Sequence, residues 1–118
     1  MKQFVQIFRQ CGPALSPEQQ TQRAGEVRAW AAAQNAAGRK LDPRLLDGAA
    51  CQIPPLVESG MAGVGAGAPI VAITFLEAAS LGEALESVRT HPGPRYGVSI
   101  EVREWTVPQP LAAAVTPG

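Results

Sequence analysis

The sequence predicts an α+β domain with the element order β-α-β-β-α-β, and three observations carry that expectation. Gly97-Val98-Ser99-Ile100-Glu101-Val102-Arg103-Glu104-Trp105 alternates strictly, placing Val98, Ile100 and Val102 on one face of a strand and Ser99, Glu101, Arg103 and Trp105 on the other. Two helix-opening signatures, Ser16-Pro17-Glu18-Gln19 and Ser80-Leu81-Gly82-Glu83, each precede a stripe of apolar residues at helical spacing. Strand-like apolar runs stand before each helix. Two right-handed split crossovers of this kind make a four-stranded antiparallel sheet with both helices on one face, the ferredoxin-like arrangement.

The first strand is expected over about Lys2 to Arg9, with Phe4 and Phe8 on one face and Val5 and Ile7 on the other, as in a strand covered on both sides. In the first helix Ser16 is the N-cap, Pro17 stands at N1 and Gln19 at N3, so orphan backbone donors are satisfied. Ala24, Val27, Trp30 and Ala31 form its apolar stripe, with Trp30 read as core, and Gly38 ends it. The stretch Leu41 to Gly48 reads as a turn-rich connection leading to a second strand over Ala49 to Val57. Pro54 and Pro55 restrict that segment to an edge strand or a ragged one, because proline cannot donate to a ladder.

A turn over Glu58 to Ala68 leads to the third strand, Pro69 to Glu77. Ser59 to Leu76 contains no charged residue, and its length approaches that of a membrane span, but four glycines and Pro69 break it. Leu81, Ala84, Leu85 and Val88 fall at i, i+3, i+4 and i+7 behind a second capping box of Ser80 and Glu83. Thr90-His91-Pro92-Gly93-Pro94 stops that helix before the closing strand. Residues 1–107 thus make a single domain, and 108–118 a Pro/Ala-rich tail.

Composition narrows the function. Ten Lys and Arg balance ten Asp and Glu among 118 residues, so there is no basic footprint to neutralise nucleic acid or an anionic membrane. The N-terminal segment reads as a strand and not as a signal peptide, which implies a cytoplasmic protein. Cys11 and Cys51 lack any CxxC spacing and read as free thiols, with neither a disulfide framework nor a metal site. The glycines at 60, 63, 65 and 67 open a strand without a following Gly-Lys-Ser/Thr, so no phosphate-binding loop or other cofactor site is read there. They suit a hairpin connection or a lid.

Lys2-Gln3-Phe4-Val5-Gln6-Ile7-Phe8-Arg9, the Ser16-Pro17-Glu18-Gln19 helix start, Trp30, Gly38, Leu81 with Glu83-Ala84, and the run from His91-Pro92 to Ser99-Ile100-Glu101-Val102-Arg103 together resemble the YCII-related proteins. The resemblance spans about Met1 to Trp105 and implies a small homodimer of ferredoxin-like fold, a dimeric α/β barrel. The order of the motifs carries it. Where the DGPF-type subgroup has an Asp-Gly-Pro-Phe turn, this chain has Glu58 to Gly67, without the aspartate, proline or aromatic. The early histidine of a His–Asp pair that some members are thought to use also has no counterpart, since no histidine precedes His91.

Among candidate site residues, His91 is the side chain whose ordinary pKa lies near neutrality, yet its place after a helix and before Pro92 is explained by helix termination and a cation at the helix C-terminus. His91 and Glu101 are the candidates for proton transfer. Arg9, Ser99, Glu101, Arg103 and Trp105 are the candidates for ligand binding, because the first and last strands neighbour each other and arginine forks grip carboxylates. An exposed ion pair is the plainer reading of the same charges. Asp42, Arg44 and Asp47 fall in the irregular connection, where turn chemistry accounts for both aspartates.

Two helices cover one sheet face and leave the other for solvent or a second copy, with Phe4, Phe8 and Trp105 as candidates for the seam. The expected protein is a homodimer that binds a small polar or anionic metabolite between sheet and loops. The alternative is an enzyme acting on a small metabolite, aromatic ones included, by general acid/base proton transfer or elimination.

Overall fold

The computed structural model describes residues 1–48, 51, 53, 54, 56 and 68–107. Its elements are β1 (Lys2–Gln10), α1 (Pro17–Ala36), β2 (Asp42–Leu45), β3 (Ile70–Ala78), α2 (Leu81–Arg89), a 3-10 turn (Gly93–Tyr96) and β4 (Val98–Glu104). All strand pairs are antiparallel and the order across the sheet is β2-β3-β1-β4. The fold is therefore α+β, consistent with a ferredoxin-like arrangement, with β1 and β3 central as the sequence implied.

Local chemistry explains most boundaries. At α1 the Ser16 hydroxyl accepts from the Gln19 N–H and the Gln19 side chain accepts from the Ser16 N–H, completing the capping box. Gly38 follows the C-cap at φ +88, the left-handed conformation in which a side chain is strained. At α2 only half of the expected box forms: Ser80 Oγ accepts from Glu83 N–H at 3.2 Å, while the Glu83 carboxylate pairs with Arg39. A charged partner on the incoming chain outcompetes the Ser80 N–H for it.

The second strand departs from expectation. Asp42 to Leu45, read from sequence as turn-rich connection, pairs with Phe75 to Ala72 of β3. Asp-Pro is a turn signal in isolation, but at a sheet edge ladder donors are needed on one side only, so Pro43 is tolerated. Of the anticipated Ala49–Val57 strand, the described residues Cys51, Ile53, Pro54 and Leu56 are not in strand, and the remainder lies outside the described residues, as do the glycines at 60–67 and the tail.

Register assigns the two faces. Directly opposed residues share a face, so Phe4, Gln6 and Phe8 of β1 align with Leu76, Thr74 and Ala72 of β3 and with Glu104, Val102 and Ile100 of β4. This is the helix side. Phe4, Leu76, Ala78 and Ala84 of α2 form the buried cluster, with Leu41 and Val102 against it. Trp30, the one buried residue of α1 among those described, donates its indole N–H to Ser87 O at 3.0 Å and Thr90 Oγ1 at 3.1 Å, tying α1 to the end of α2. Phe4 and Phe8 thus face the helices, and the expectation that they line a subunit seam is corrected: strand parity puts them in the core.

β4 is anchored at its start by a close backbone crossing. Cys11 N–H and Gly12 N–H both donate to Gly97 O, at 2.7 and 3.0 Å. A Cβ on Gly97 would stand 2.9 Å from Gly12 Cα, and Gly97 also lies at φ +81, so glycine is required on both counts.

Candidate functional site

The opposite face, helix-free among the described residues, is a small lattice. Reading across β2, β3, β1 and β4, one row is Asp42, Phe75, Val5 and Arg103, and the next is Arg44, Ile73, Ile7 and Glu101. Four apolar side chains fill the middle, and charges of both signs stand on each outer strand. Beyond the first row Gln3 lies opposite Glu77 and bonds Trp105 through the backbone at 2.8 Å; beyond the second Arg9 lies opposite Ser99.

Strand parity puts Ser99, Glu101, Arg103 and Trp105 on one face, as the closing strand suggested, and the β1–β4 register adds Arg9 to it. It does not bring all five together. Trp105, just past the end of β4, stands six residues from Ser99, which is roughly 20 Å at strand rise. There it meets Phe75 edge to face at 4.9 Å, beside a shallow depression of about 330 Å³ lined by Gln3, Lys40, Asp42, Phe75 and Glu77 among others. Lys40 reaches Glu77 at 3.5 Å in that depression. Sequence reasoning named Trp105 here but did not join Asp42 to it, because Asp42 lay in the Leu41 to Gly48 segment taken for connection, and it did not single out Lys40.

At the other end two guanidinium groups converge on one carboxylate. Arg103 Nε donates to Glu101 Oε2, and Arg9 Nη2 stands 4.0 Å from Glu101 Oε1. Arg9 is also held by Nη1 donating to Ala68 O at 3.2 Å. Its side chain is 35 % exposed and that of Arg103 70 %. Ser99 Oγ accepts from the Cys11 thiol at 3.4 Å. The cluster carries two cations against one carboxylate, so it retains capacity for a further anion.

His91 lies on the other side of the sheet. Its ring is 5.0 Å from Phe8 and 4.5 Å from Trp30, and its Nδ1 accepts from Gly93 N–H at 2.8 Å. An acceptor Nδ1 places the proton of the neutral ring on Nε2. Burial among these rings lowers its pKa to about 4, because the charged form loses solvation there. His91 is thus a neutral member of the interlayer and not the helix-end cation that its position suggested. It also faces away from Glu101, so the two candidates for proton transfer do not share a site.

Among the described residues, no group of three or more His, Cys, Asp or Glu is placed to hold a metal ion. Among the same residues no helix is long and apolar enough to cross a membrane. Cys11 and Cys51 are both exposed free thiols. Tyr96 donates its hydroxyl to Glu26, which also meets Arg95 at 3.2 Å; the bond to Glu26 raises the Tyr96 pKa. Comparison with known proteins finds no family model that matches this chain and no curated protein that matches it.

Proposed function

We propose that the helix-free face is the working surface of a small cytoplasmic homodimer, in the manner of the YCII-related proteins it resembles, and that Arg9 and Arg103 hold the anionic group of a small metabolite there. The observation that carries this reading is the convergence of both guanidinium groups on Glu101. A carboxylate is the anion whose geometry an arginine fork fits, and Glu101 occupies that place within the chain. A ligand carboxylate joins or displaces it. The apolar middle of the face, Val5, Ile7, Ile73 and Phe75, supports burial against a second copy joined sheet to sheet, as in a dimeric α/β barrel, over about 1,200–2,000 Å².

The enzymatic alternative gains no support from His91, whose Nδ1 is already engaged and whose ring sits between Phe8 and Trp30. Titration calorimetry with acetate, succinate and citrate tests the binding reading. At least one probe should bind, and Arg9→Lys and Arg103→Lys, which keep the charge and lose the fork, should each weaken it on the order of tenfold. Absence of heat with all three probes, or lysine variants that bind as well as the parent, refutes it.

A further inference from the structure

Resting on the reading of the helix-free face as a subunit seam, we infer that its rim charges encode the partner: the face is complementary to itself and selects a second copy of this chain. The lattice carries the argument. On the β2 edge Asp42 precedes Arg44, and on the β4 edge Arg103 stands in the Asp42 row and Glu101 in the Arg44 row. Each edge thus bears one cation and one anion, in opposite order along the rows.

Two-fold axes that lay this face on a copy of itself run between the sheets, either along the strands or across them. An axis along the strands keeps the rows and exchanges the edges, so Asp42 meets Arg103 of the partner subunit and Arg44 meets Glu101 of the partner subunit. An axis across the strands keeps the edges and exchanges the rows, so Asp42 meets Arg44 of the partner subunit and Glu101 meets Arg103 of the partner subunit. Every rim contact joins opposite charges in both cases, while Val5, Ile7, Ile73 and Phe75 meet one another in the middle. Isologous interfaces need such self-complementarity, and a nucleic acid or an unrelated protein does not supply it.

The rim is available for this exchange. The side chains of Asp42, Arg44 and Arg103 are 51 %, 63 % and 70 % exposed, and that of Glu101 is 36 % exposed. In the single chain these charges pair along their own strands, Arg44 with Asp42 and Arg103 with Glu101. Two such pairs at residues i and i+2 neutralise each edge separately, so trading them across the seam leaves no charge stranded.

Two complementary variants test the inference by sedimentation equilibrium at about 50 mM and 500 mM salt. Asp42→Lys with Glu101→Lys makes the rim wholly cationic, and Arg44→Glu with Arg103→Glu makes it wholly anionic. Each alone should dimerise on the order of a hundredfold more weakly at low salt than the parent, and an equimolar mixture should restore a dimer containing one of each. A parent chain that is monomeric at micromolar concentration overturns the dimer reading and this inference together. A dimeric parent whose variants both self-associate like it, or whose mixture restores nothing while circular dichroism shows both folded, overturns the charge encoding alone.

Discussion

His91 and Gln6 show how a single side chain in the interlayer sets a measurable cost. The His91 pKa is lowered to about 4 in the fold from an ordinary value of 6.5, so the unfolded chain takes up the proton first as pH falls. Its contribution is therefore neutral above pH 6.5 and becomes progressively destabilising between pH 6.5 and 4. The full loss is on the order of 2 kcal/mol once the water still reaching the ring is allowed for. Urea unfolding of the parent and of His91→Gln across that range should show a loss of stability in the parent that the variant lacks. Gln6 is fully buried on β1, and neither amide atom finds a partner among the described residues. A buried amide without partners costs about 1–3 kcal/mol, so Gln6→Leu should raise the unfolding midpoint, and an unchanged or lower midpoint counts against an orphaned amide.

Elements were legible in proportion to how local their determinants are. The Ser16 and Gln19 cap is a contact between residues three apart, and both of its bonds are present. Ser16→Ala should therefore cost about 1 kcal/mol, read by chemical denaturation. The closing strand was equally plain because Val98, Ile100 and Val102 repeat with the period of a pleat. β2 was not, since Asp42-Pro43 carries a turn signature and its four exposed residues have no periodicity; only the β3 edge beside it makes a strand of them. The Arg9, Glu101 and Arg103 cluster was half legible: the closing strand fixed the parity of Glu101 and Arg103, whereas Arg9 joined them through the β1–β4 register, which no short-range pattern contains. The Gly12–Gly97 crossing likewise depends on two segments meeting in space. Gly97→Ala should cost roughly 2–4 kcal/mol from the left-handed backbone and the contact with Gly12 combined, so a midpoint like the parent's would refute that account.

At the scale of the whole molecule, the sheet separates two chemistries that the sequence interleaves residue by residue. Even positions of β1 build the interlayer with Trp30, His91 and the cluster around Phe4; odd positions present the apolar square and its charged rim. Because the two sets occupy opposite faces, variants of one should leave the other intact. Trp30→Ala removes a buried indole and both of its hydrogen bonds and should cost about 3–5 kcal/mol, lowering the thermal midpoint. Ile73→Ser, on the other face, should move that midpoint less and, with that face as the subunit seam proposed above, weaken self-association more. The reverse ranking would mean that the faces have been assigned the wrong way round.

The two flanks of the sheet also differ in a way that limits how it can grow. β2 is four residues long and contains Pro43, so it offers a poor template for another strand. β4 runs for seven residues, and among the described residues no strand pairs with its outer edge; Glu101, Arg103 and Glu104 are its charges. Among the described residues the sheet thus has one blunt side and one open side. If those charges are neutralised, copies can join open side to open side into an eight-stranded sheet, and the blunt sides then face outward and end the growth there.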